Sequence, residues 1–418
     1  MNAEIICVGT EILLGNIVDT NSAYISNKLS VLGINLFYHT SVGDNEKRLI
    51  STIKTAAKRS DLIILTGGLG PTYDDITKEA TAKAFGKELY LDDASLDKIK
   101  SYFNAIGREM TENNVKQAYI IDGAHILPND NGTAPGMVFE TENVTVAILP
   151  GPPHEMSYMF DKYLYPYLEG KSGQSFFSSV LKIFGVGESK IESDLRDIME
   201  TSKNPTLAPY AKETEVELRL TSAAKTREEA QCRFAPIISK IKDMYGKNVY
   251  GIDVPNLETA LYKKLKEHHL TISFAESCTG GLLAKRLTDV PGASEVIGFS
   301  AITYSANAKE EVLGVPKSII ENFGVISHEC AVEMAKGIAN LANSDIGVSV
   351  TGVAGPEKSE GKPVGLVYVG IYTKGKDPLC VEFNLTRGRS TRSRENIRNI
   401  ASSNAIYLTI NAIDEWCL

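Results

Sequence analysis

The sequence predicts an α/β protein built from two α/β domains with a small α+β module between them. Three observations carry this expectation. A chain of 418 residues exceeds what one compact core organises. Short apolar runs alternate with helical patterns in its first and last thirds, as a parallel sheet with covering helices requires. Between them a polar linker, Gly170-Lys171-Ser172-Gly173-Gln174, opens a stretch with a different element order. Domains are therefore expected at residues 1–168, 169–252 and 253–418. The 43% hydrophobic and 23% charged composition is that of a globular chain and excludes collagenous, coiled-coil and broadly disordered classes.

In the first segment, residues 5–8, 34–42 and 62–65 read as strands. Thr20 and Asn21 can cap a helix whose apolar positions Ala23, Tyr24, Leu29 and Leu32 recur at helical spacing, and Gly33 closes it. Helices follow at 46–58 and 75–85, and a buried strand at 144–149 leads into a helix near Pro153. The middle segment reads strand, helix, strand, strand, helix, with strands at 177–185 and 215–221 and the longest helix at 227–245. That is a KH-like order, but the candidate RNA loop, Gly185-Val186-Gly187-Glu188, has neither the GXXG spacing nor basic flanks. An interdomain spacer or dimer element is expected instead, in a homodimer. The last segment alternates again: helix 257–268, strand 271–275, helix 280–288, strand 296–304, helix 328–342, strands 346–350, 365–373 and 379–385, and a closing helix 396–413. No internal repeat is visible.

Forty-four basic residues against 52 acidic ones give a net charge of −8, the wrong sign for counterion-driven nucleic-acid binding. The six cysteines lie far apart with no C-x-x-C pair, so reduced thiols in a cytoplasm are expected. The N-terminus runs directly into a strand, with no basic region, and no apolar run approaches the roughly 20 residues that span a bilayer. Neither a nucleic-acid nor a membrane partner is expected.

The third strand ends in Thr66-Gly67-Gly68-Leu69-Gly70-Pro71-Thr72-Tyr73-Asp74-Asp75-Ile76-Thr77-Lys78-Glu79. Glycines at a strand end let backbone amides approach an anion, and the next helix points its positive end there. The run matches neither a Walker loop nor a dinucleotide fingerprint. Asp75 and Glu79, one turn apart on the expected helix, share a face with Asp74 adjacent, and oxygen ligands beside a phosphate cradle suit a hard divalent cation. A helix cap at Asp75 with a dipole partner at Glu79 explains the same residues structurally. Gly9-Thr10-Glu11 and the loop Asn131-Gly132-Thr133-Ala134-Pro135-Gly136 bring further polar groups toward the edge where open α/β sheets bind ligands, which tilts the balance to the metal.

Residues Gly9 to Asn21, Gly67 to Asp75, Gly132 to Gly136 and Leu149-Pro150-Gly151-Pro152-Pro153-His154-Glu155-Met156 together resemble the CinA family. The resemblance implies an N-terminal fold similar to molybdopterin-binding domains. It also implies an ADP-ribose pyrophosphatase dependent on a divalent metal (Mg2+, Mn2+ or Co2+) and giving AMP and ribose 5-phosphate. Glu11, Asp74, Asp75 and Glu79 are the metal candidates, and Gly67, Gly68, Gly70 and Thr133 the substrate-binding ones.

In the last segment, the strand at 271–275 runs into Glu276-Ser277-Cys278-Thr279-Gly280-Gly281 and a helix, which puts Ser277 at a sharp turn. Amides at the helix start can stabilise an oxyanion, so Ser277 is a candidate nucleophile; a simple N-cap is the plainer alternative. Cys278 is the rival nucleophile, with buried packing as its default. His268, His269 and His328 have no triad-like context, so a base must come from elsewhere, and a lysine kept neutral by desolvation is one solution. Tyr304-Ser305-Ala306-Asn307-Ala308-Lys309 closes the next strand; alone, Lys309 reads as a solvated charge.

Ala275 to Gly281, Leu287 to Ala293, Thr351-Gly352-Val353-Ala354-Gly355-Pro356 and Lys362 to Val367 resemble the C-terminal CinA domain, related to nicotinamide-nucleotide amidohydrolases. The resemblance implies conversion of nicotinamide mononucleotide into nicotinate mononucleotide and ammonia, without a cofactor. It places the family's serine on Ser277, its lysine base on Lys309 and its tyrosine, orienting the base or relaying a proton, on Tyr304. The substrate contacts fall on Thr279, Gly280, Gly281, Thr351 and Gly352, with a phosphate-gripping pair on Arg394 and Arg398. The chain departs from the pattern at Glu357-Lys358-Ser359-Glu360-Gly361, where a glycine-rich run is usual, and at Arg387 to Arg392. The expected function is a bifunctional pyridine-nucleotide salvage hydrolase. The competing reading is a non-enzymatic competence or recombination accessory, or a molybdopterin-type nucleotide-binding protein, with relic sites.

Overall fold

A computed structural model describes residues 1–171, 175–386 and 392–417. Residues 172–174 of the polar linker and 387–391 ahead of the arginine pair lie outside the described residues. The chain divides into two compact units, Met1–Ser178 with Thr221–Arg233, and Ser179–Leu220 with Phe234–Leu418.

The first unit holds a six-stranded sheet in the order Asn35–Val42, Asn2–Val8, Leu62–Thr66, Thr145–Leu149, Gly136–Glu140, His125–Leu127. The first four strands are parallel, so their C-terminal ends share one edge. The central strands read as unbroken apolar runs because both faces are covered. Ile6, Ile63, Leu65 and Ile148 enter one core, and Ile5, Leu62, Ile64 and Leu149 the other. The sheet is not wholly parallel, as the alternation suggested: Gly136–Glu140 pairs antiparallel with Thr145–Leu149. The connection of residues 141–144, closed by Thr141 N–H on the Val144 carbonyl, is too short for anything but a hairpin. Helix Thr20–Val31 is capped by Asp19, which accepts from Ser22 N–H, and Gly33 follows at φ +66°. Helix Asp93–Ala105 and the three-residue strands escaped the sequence reading, the strands because a run that short carries no periodicity.

The middle sheet has the order Thr206–Ala211, Glu215–Ala224, Ser175–Phe184, Val249–Ile252, with helices Glu188–Thr201 and Arg227–Tyr245. The expected strand-helix-strand-strand-helix order is present, and Val249–Ile252 adds a closing antiparallel strand. In the second unit, Phe184 and Tyr250 of this module enter the same core as Leu257, Leu261 and Ile410, and Phe184 stacks on Tyr407 at 4.4 Å.

The larger sheet of the second unit runs Ile297–Ile302, Ile272–Glu276, Ile346–Gly352, Leu366–Thr373, Leu379–Asn384. Its first three strands are parallel, which brings the residues after Glu276, Ile302 and Gly352 to one edge. Helix His328–Ala342 buries Cys330, Met334, Ala335 and Ile338 against the sheet. The approach is close: a Cβ on Gly347 would lie 2.1 Å from the Ala335 carbonyl oxygen, and one on Gly370 2.5 Å from that of Ala331. Helix Arg394–Cys417 starts two residues earlier and ends four later than its sequence pattern suggested, and contributes Ile397, Ile406, Ile410 and Ile413 to the core. Among the described residues no helix is long and apolar enough to cross a membrane.

Candidate active site

Strand Ile272–Glu276 and strand Ile297–Ile302 end side by side, and the two turns that follow face each other. From the first comes Ser277, buried, with its N–H on the Val350 carbonyl at 3.0 Å. From the second comes helix Ala306–Leu313, capped by the Ser305 hydroxyl, which carries Lys309 on its first turn. Lys309 is 0% exposed; its Nζ lies 3.3 Å from Ser277 Oγ and donates to the Thr303 carbonyl at 2.7 Å. The reading of Lys309 as a solvated charge is thereby excluded. Desolvation holds its pKa below the ordinary lysine value, with no carboxylate hydrogen-bonded to offset it.

Ser277 is not a helix cap, because the helix begins at Leu282 with Gly281 as N-cap residue. The amides at the helix start are not free either, contrary to the sequence expectation. The Glu276 carboxylate accepts from Gly281 N–H at 3.0 Å, Leu283 N–H at 3.0 Å and Ala284 N–H at 2.9 Å. Among the described residues, the N–H groups of this turn with no partner on another residue are those of Cys278, which meets only its own thiol, and Thr279. Gly280 and Gly281 turn the chain at φ +59° and +92°, a conformation that excludes larger side chains without strain. Cys278 is buried and its thiol is pushed up to about 12 by desolvation, so it is protonated at neutral pH and is no rival to Ser277.

Three expectations are corrected around this pair. Tyr304 is 60% exposed and accepts from Arg394 Nη2 at 2.9 Å; its hydroxyl bonds neither Lys309 nor Ser277. Arg398 donates through Nε and Nη2 to the Thr279 carbonyl, at 3.2 and 2.6 Å, while Arg394 Nη1 donates to the Gly355 carbonyl. Both arginines reach the site edge, yet each spends donors on backbone, so they do not form a free pair. Thr351 is fully buried with its hydroxyl on the Val325 carbonyl, and the space beside Gly352 is filled by Leu366 and Val367. The unusual loop has a local reason: Glu360 accepts from Val325 and Ile326 N–H at 3.1 and 3.2 Å, and Lys362 donates to the Phe323 carbonyl at 3.1 Å. A glycine run could supply neither tether.

In the first unit, the ends of the parallel strands frame a cleft of about 430 Å³ that includes Glu11, Gly67, Gly68, Gly70 and Asp75. The turn requires glycine, since a Cβ on Gly67 would lie 2.2 Å from the Val8 carbonyl oxygen and one on Gly68 2.2 Å from Thr77 Oγ1. Thr77 buckles this turn, donating its hydroxyl to Gly67 and its N–H to Gly68. The helix starts at Thr77 rather than at residue 75, so Asp75 and Glu79 do not share a helix face. Asp75 folds back under Gly70 and accepts from Thr72 N–H and Oγ1. Asp74 is exposed, and its hydrogen bond from Thr72 holds it below the usual carboxylate range. Glu79 pairs with Lys116 at 3.6 Å and lines a separate hollow with Glu112 and Tyr119; Thr133 lines another, with Lys98 and Asp130. Among the described residues no three His, Cys, Asp or Glu side chains are grouped to hold a metal ion. Of the four metal candidates only Glu11 and Asp75 line this cleft, and magnesium-type ions can take as few as one or two carboxylates, completing their shell with substrate phosphate and water. Neighbours that the sequence reading passed over are Asp19 and Asn21. They lie in a quoted motif, where Asn21 was read only for helix capping and Asp19, the cap the structure shows, was given no role; Asn21 donates to Thr66 Oγ1 and the Gly151 carbonyl at the cleft floor.

Comparison with known proteins agrees along the whole chain. The chain is 46% identical over 415 residues to a CinA-like protein of Dictyoglomus thermophilum, covering 99% of this chain and 98% of that protein. The chain belongs to the CinA family. A putative competence-damage inducible protein of Clostridium beijerinckii is 49% identical over 377 residues, 90% of this chain and 92% of its own. Three family models tile the sequence: a probable molybdopterin binding domain over residues 4–170, the damage-inducible protein CinA KH domain over 178–251 and the CinA C-terminal domain over 255–413. The crystal structure of the protein CinA from Thermoplasma acidophilum, described as of unknown function, is similar at 35% identity and a TM-score of 0.37, covering 41% of this chain and 97% of that one. In this CinA-family chain, Ser277 and Lys309 fall within the C-terminal CinA match and the glycine turn within the molybdopterin-binding match.

Proposed function

We propose that the C-terminal part is a Ser–Lys amidohydrolase that converts nicotinamide mononucleotide into nicotinate mononucleotide and ammonia. The observation that carries this reading is the wholly buried Lys309 amine 3.3 Å from Ser277 Oγ. A neutral amine there takes the Ser277 proton as Oγ bonds to the amide carbon, while the Thr303 carbonyl fixes the Nζ orientation. The donors we assign to the oxyanion are the N–H groups of Cys278 and Thr279, which among the described residues no other residue engages. The C–N bond then breaks as the Lys309 ammonium returns its proton to the leaving nitrogen, releasing ammonia. Water attacks the resulting ester by the same proton route and frees the acid and Ser277. Arg394, held by Gly355 and Tyr304, and Arg398, held by Thr279, each have two nitrogens engaged, and each retains further N–H donors for a nucleotide phosphate.

For the N-terminal part we infer metal-dependent hydrolysis of ADP-ribose to AMP and ribose 5-phosphate. Asp75 and Glu11 would hold the divalent cation, which when bound neutralises charge on the pyrophosphate. The chain itself supplies backbone amides of Gly68 to Gly70 to the phosphates, that of Gly67 being held by the Leu149 carbonyl, and the cleft between the strand ends to the remainder.

Ammonia release from nicotinamide mononucleotide by the wild-type protein and by Ser277→Ala tests the first reading. The variant is expected to lose activity by about 10³-fold or more with its fold retained. Undiminished release in Ser277→Ala overturns it. Absence of both ammonia and AMP formation in the wild type would favour the accessory reading that the relatives' competence names invite.

A further inference from the structure

We propose that Glu276 is the positioning residue of the nucleophile turn, an assignment that rests on the Ser–Lys reading of the site. Its side chain is 1% exposed, yet among the described residues it has no cationic partner; its two oxygens take the N–H groups of Gly281, Leu283 and Ala284 instead. Those are amides that the start of a helix otherwise leaves unpaired. By accepting them, the last residue of the strand draws the start of the helix back beneath the strand end. Residues 277–281 must then arch outward, and Gly280 and Gly281 make the arch possible. The arch separates two kinds of amide: those of the helix start are consumed beneath it, and among the described residues no other residue takes those of Cys278 and Thr279 next to Ser277.

The same residue reaches the base through its backbone. The Glu276 carbonyl accepts from Thr303 N–H at 2.9 Å, and the Thr303 carbonyl accepts from Lys309 Nζ at 2.7 Å. Glu276 thus sets the nucleophile's turn with its carboxylate and the base's anchor with its main chain. A carboxylate suits the position because three donors converge on it. A glutamine has one acceptor oxygen and turns an NH2 group toward N–H donors, so at least one buried amide loses its partner.

The test uses the full chain and reads Ser277 in two ways: steady-state hydrolysis of nicotinamide mononucleotide, and the rate and final stoichiometry of labelling by a fluorophosphonate. Glu276→Gln is expected to label to the same final stoichiometry as the wild type, but about 10- to 100-fold more slowly, with kcat reduced similarly and KM within about twofold. Glu276→Asp keeps the charge but falls one methylene short, and is expected between the two. A helix cap with no positioning role would lower the labelled fraction while the remaining sites react at the wild-type rate; that result overturns the proposal. Should neither variant fold, amide exchange in the wild type before and after labelling decides. Slowed exchange at Cys278 and Thr279 supports the assignment, and slowing confined to Gly281 overturns it. A wild type that labels at Ser277 but releases no ammonia removes the proposed substrate, and the labelling comparison still decides Glu276.

Discussion

Lys309 meets opposing influences: loss of water favours its neutral form, and the electrostatic effect of Cys330, Cys278 and Glu360 favours the charged one. Desolvation is the larger, so the amine is available as a base at lower pH than an exposed lysine. Because the working form is neutral, kcat/KM should rise with pH through the depressed pKa and level off above it; a flat profile into mildly acidic pH contradicts a lysine base. Lys309→Arg, cationic at every accessible pH, should cost about 10²- to 10⁴-fold. The shift also bears on stability: between the depressed value and the unfolded value of about 10.4 the unfolded chain binds more protons, so stability rises with pH across that window. Ser277 was legible from its strand-to-helix turn, and Lys309, alone a solvated charge, only through the family resemblance. Their meeting was not: it depends on parallel pairing of two strands, with Glu276 opposite Ile302, and no local pattern states that pairing. Glu276 was passed over because a glutamate beside a serine looks solvent-bound until its burial is known.

At the scale of elements, the glycines under helix His328–Ala342 fix its distance from the sheet. Gly347→Ala places a methyl 2.1 Å from the Ala335 carbonyl oxygen and 2.8 Å from the Ala339 Cβ, so the helix must shift. A loss of about 2 kcal/mol is expected from the urea midpoint. Gly298→Ala, on strand Ile297–Ile302 with open space around its Cβ, should stay within about 0.5 kcal/mol. Equal effects would mean that close packing is not what these glycines serve. Long elements were legible from their period, helix 328–342 to the residue, because one face is wholly apolar. The helix start at Thr77 was not, because Asp75 in the sequence Asp74-Asp75-Ile76-Thr77 has the composition of a cap but bonds back to Thr72.

For the whole molecule, the two proposed chemistries use different resources: one needs only side chains and amides, the other needs two carboxylates and a cation. Chelation of divalent metal should therefore stop AMP formation from ADP-ribose and leave ammonia release unchanged. Asp75→Asn should lower AMP formation by about 10²-fold, since the neutral amide binds a hard cation poorly. It should leave the urea midpoint nearly unmoved, because Asn Oδ1 can still accept from Thr72. A midpoint that falls while AMP formation per folded molecule persists would make Asp75 structural. Loss of both activities on chelation would tie the Ser–Lys site to a metal.

The clasp of Arg398 on the Thr279 carbonyl joins residues 119 positions apart. Neighbouring pieces of chain find each other quickly during folding, whereas a link of this span must wait until the intervening polypeptide has been gathered in. Helical signal should accordingly return early when the denatured chain is diluted into buffer, with a competent nucleophile turn among the later events. An assay begun too soon after dilution would register well-formed helices and little turnover.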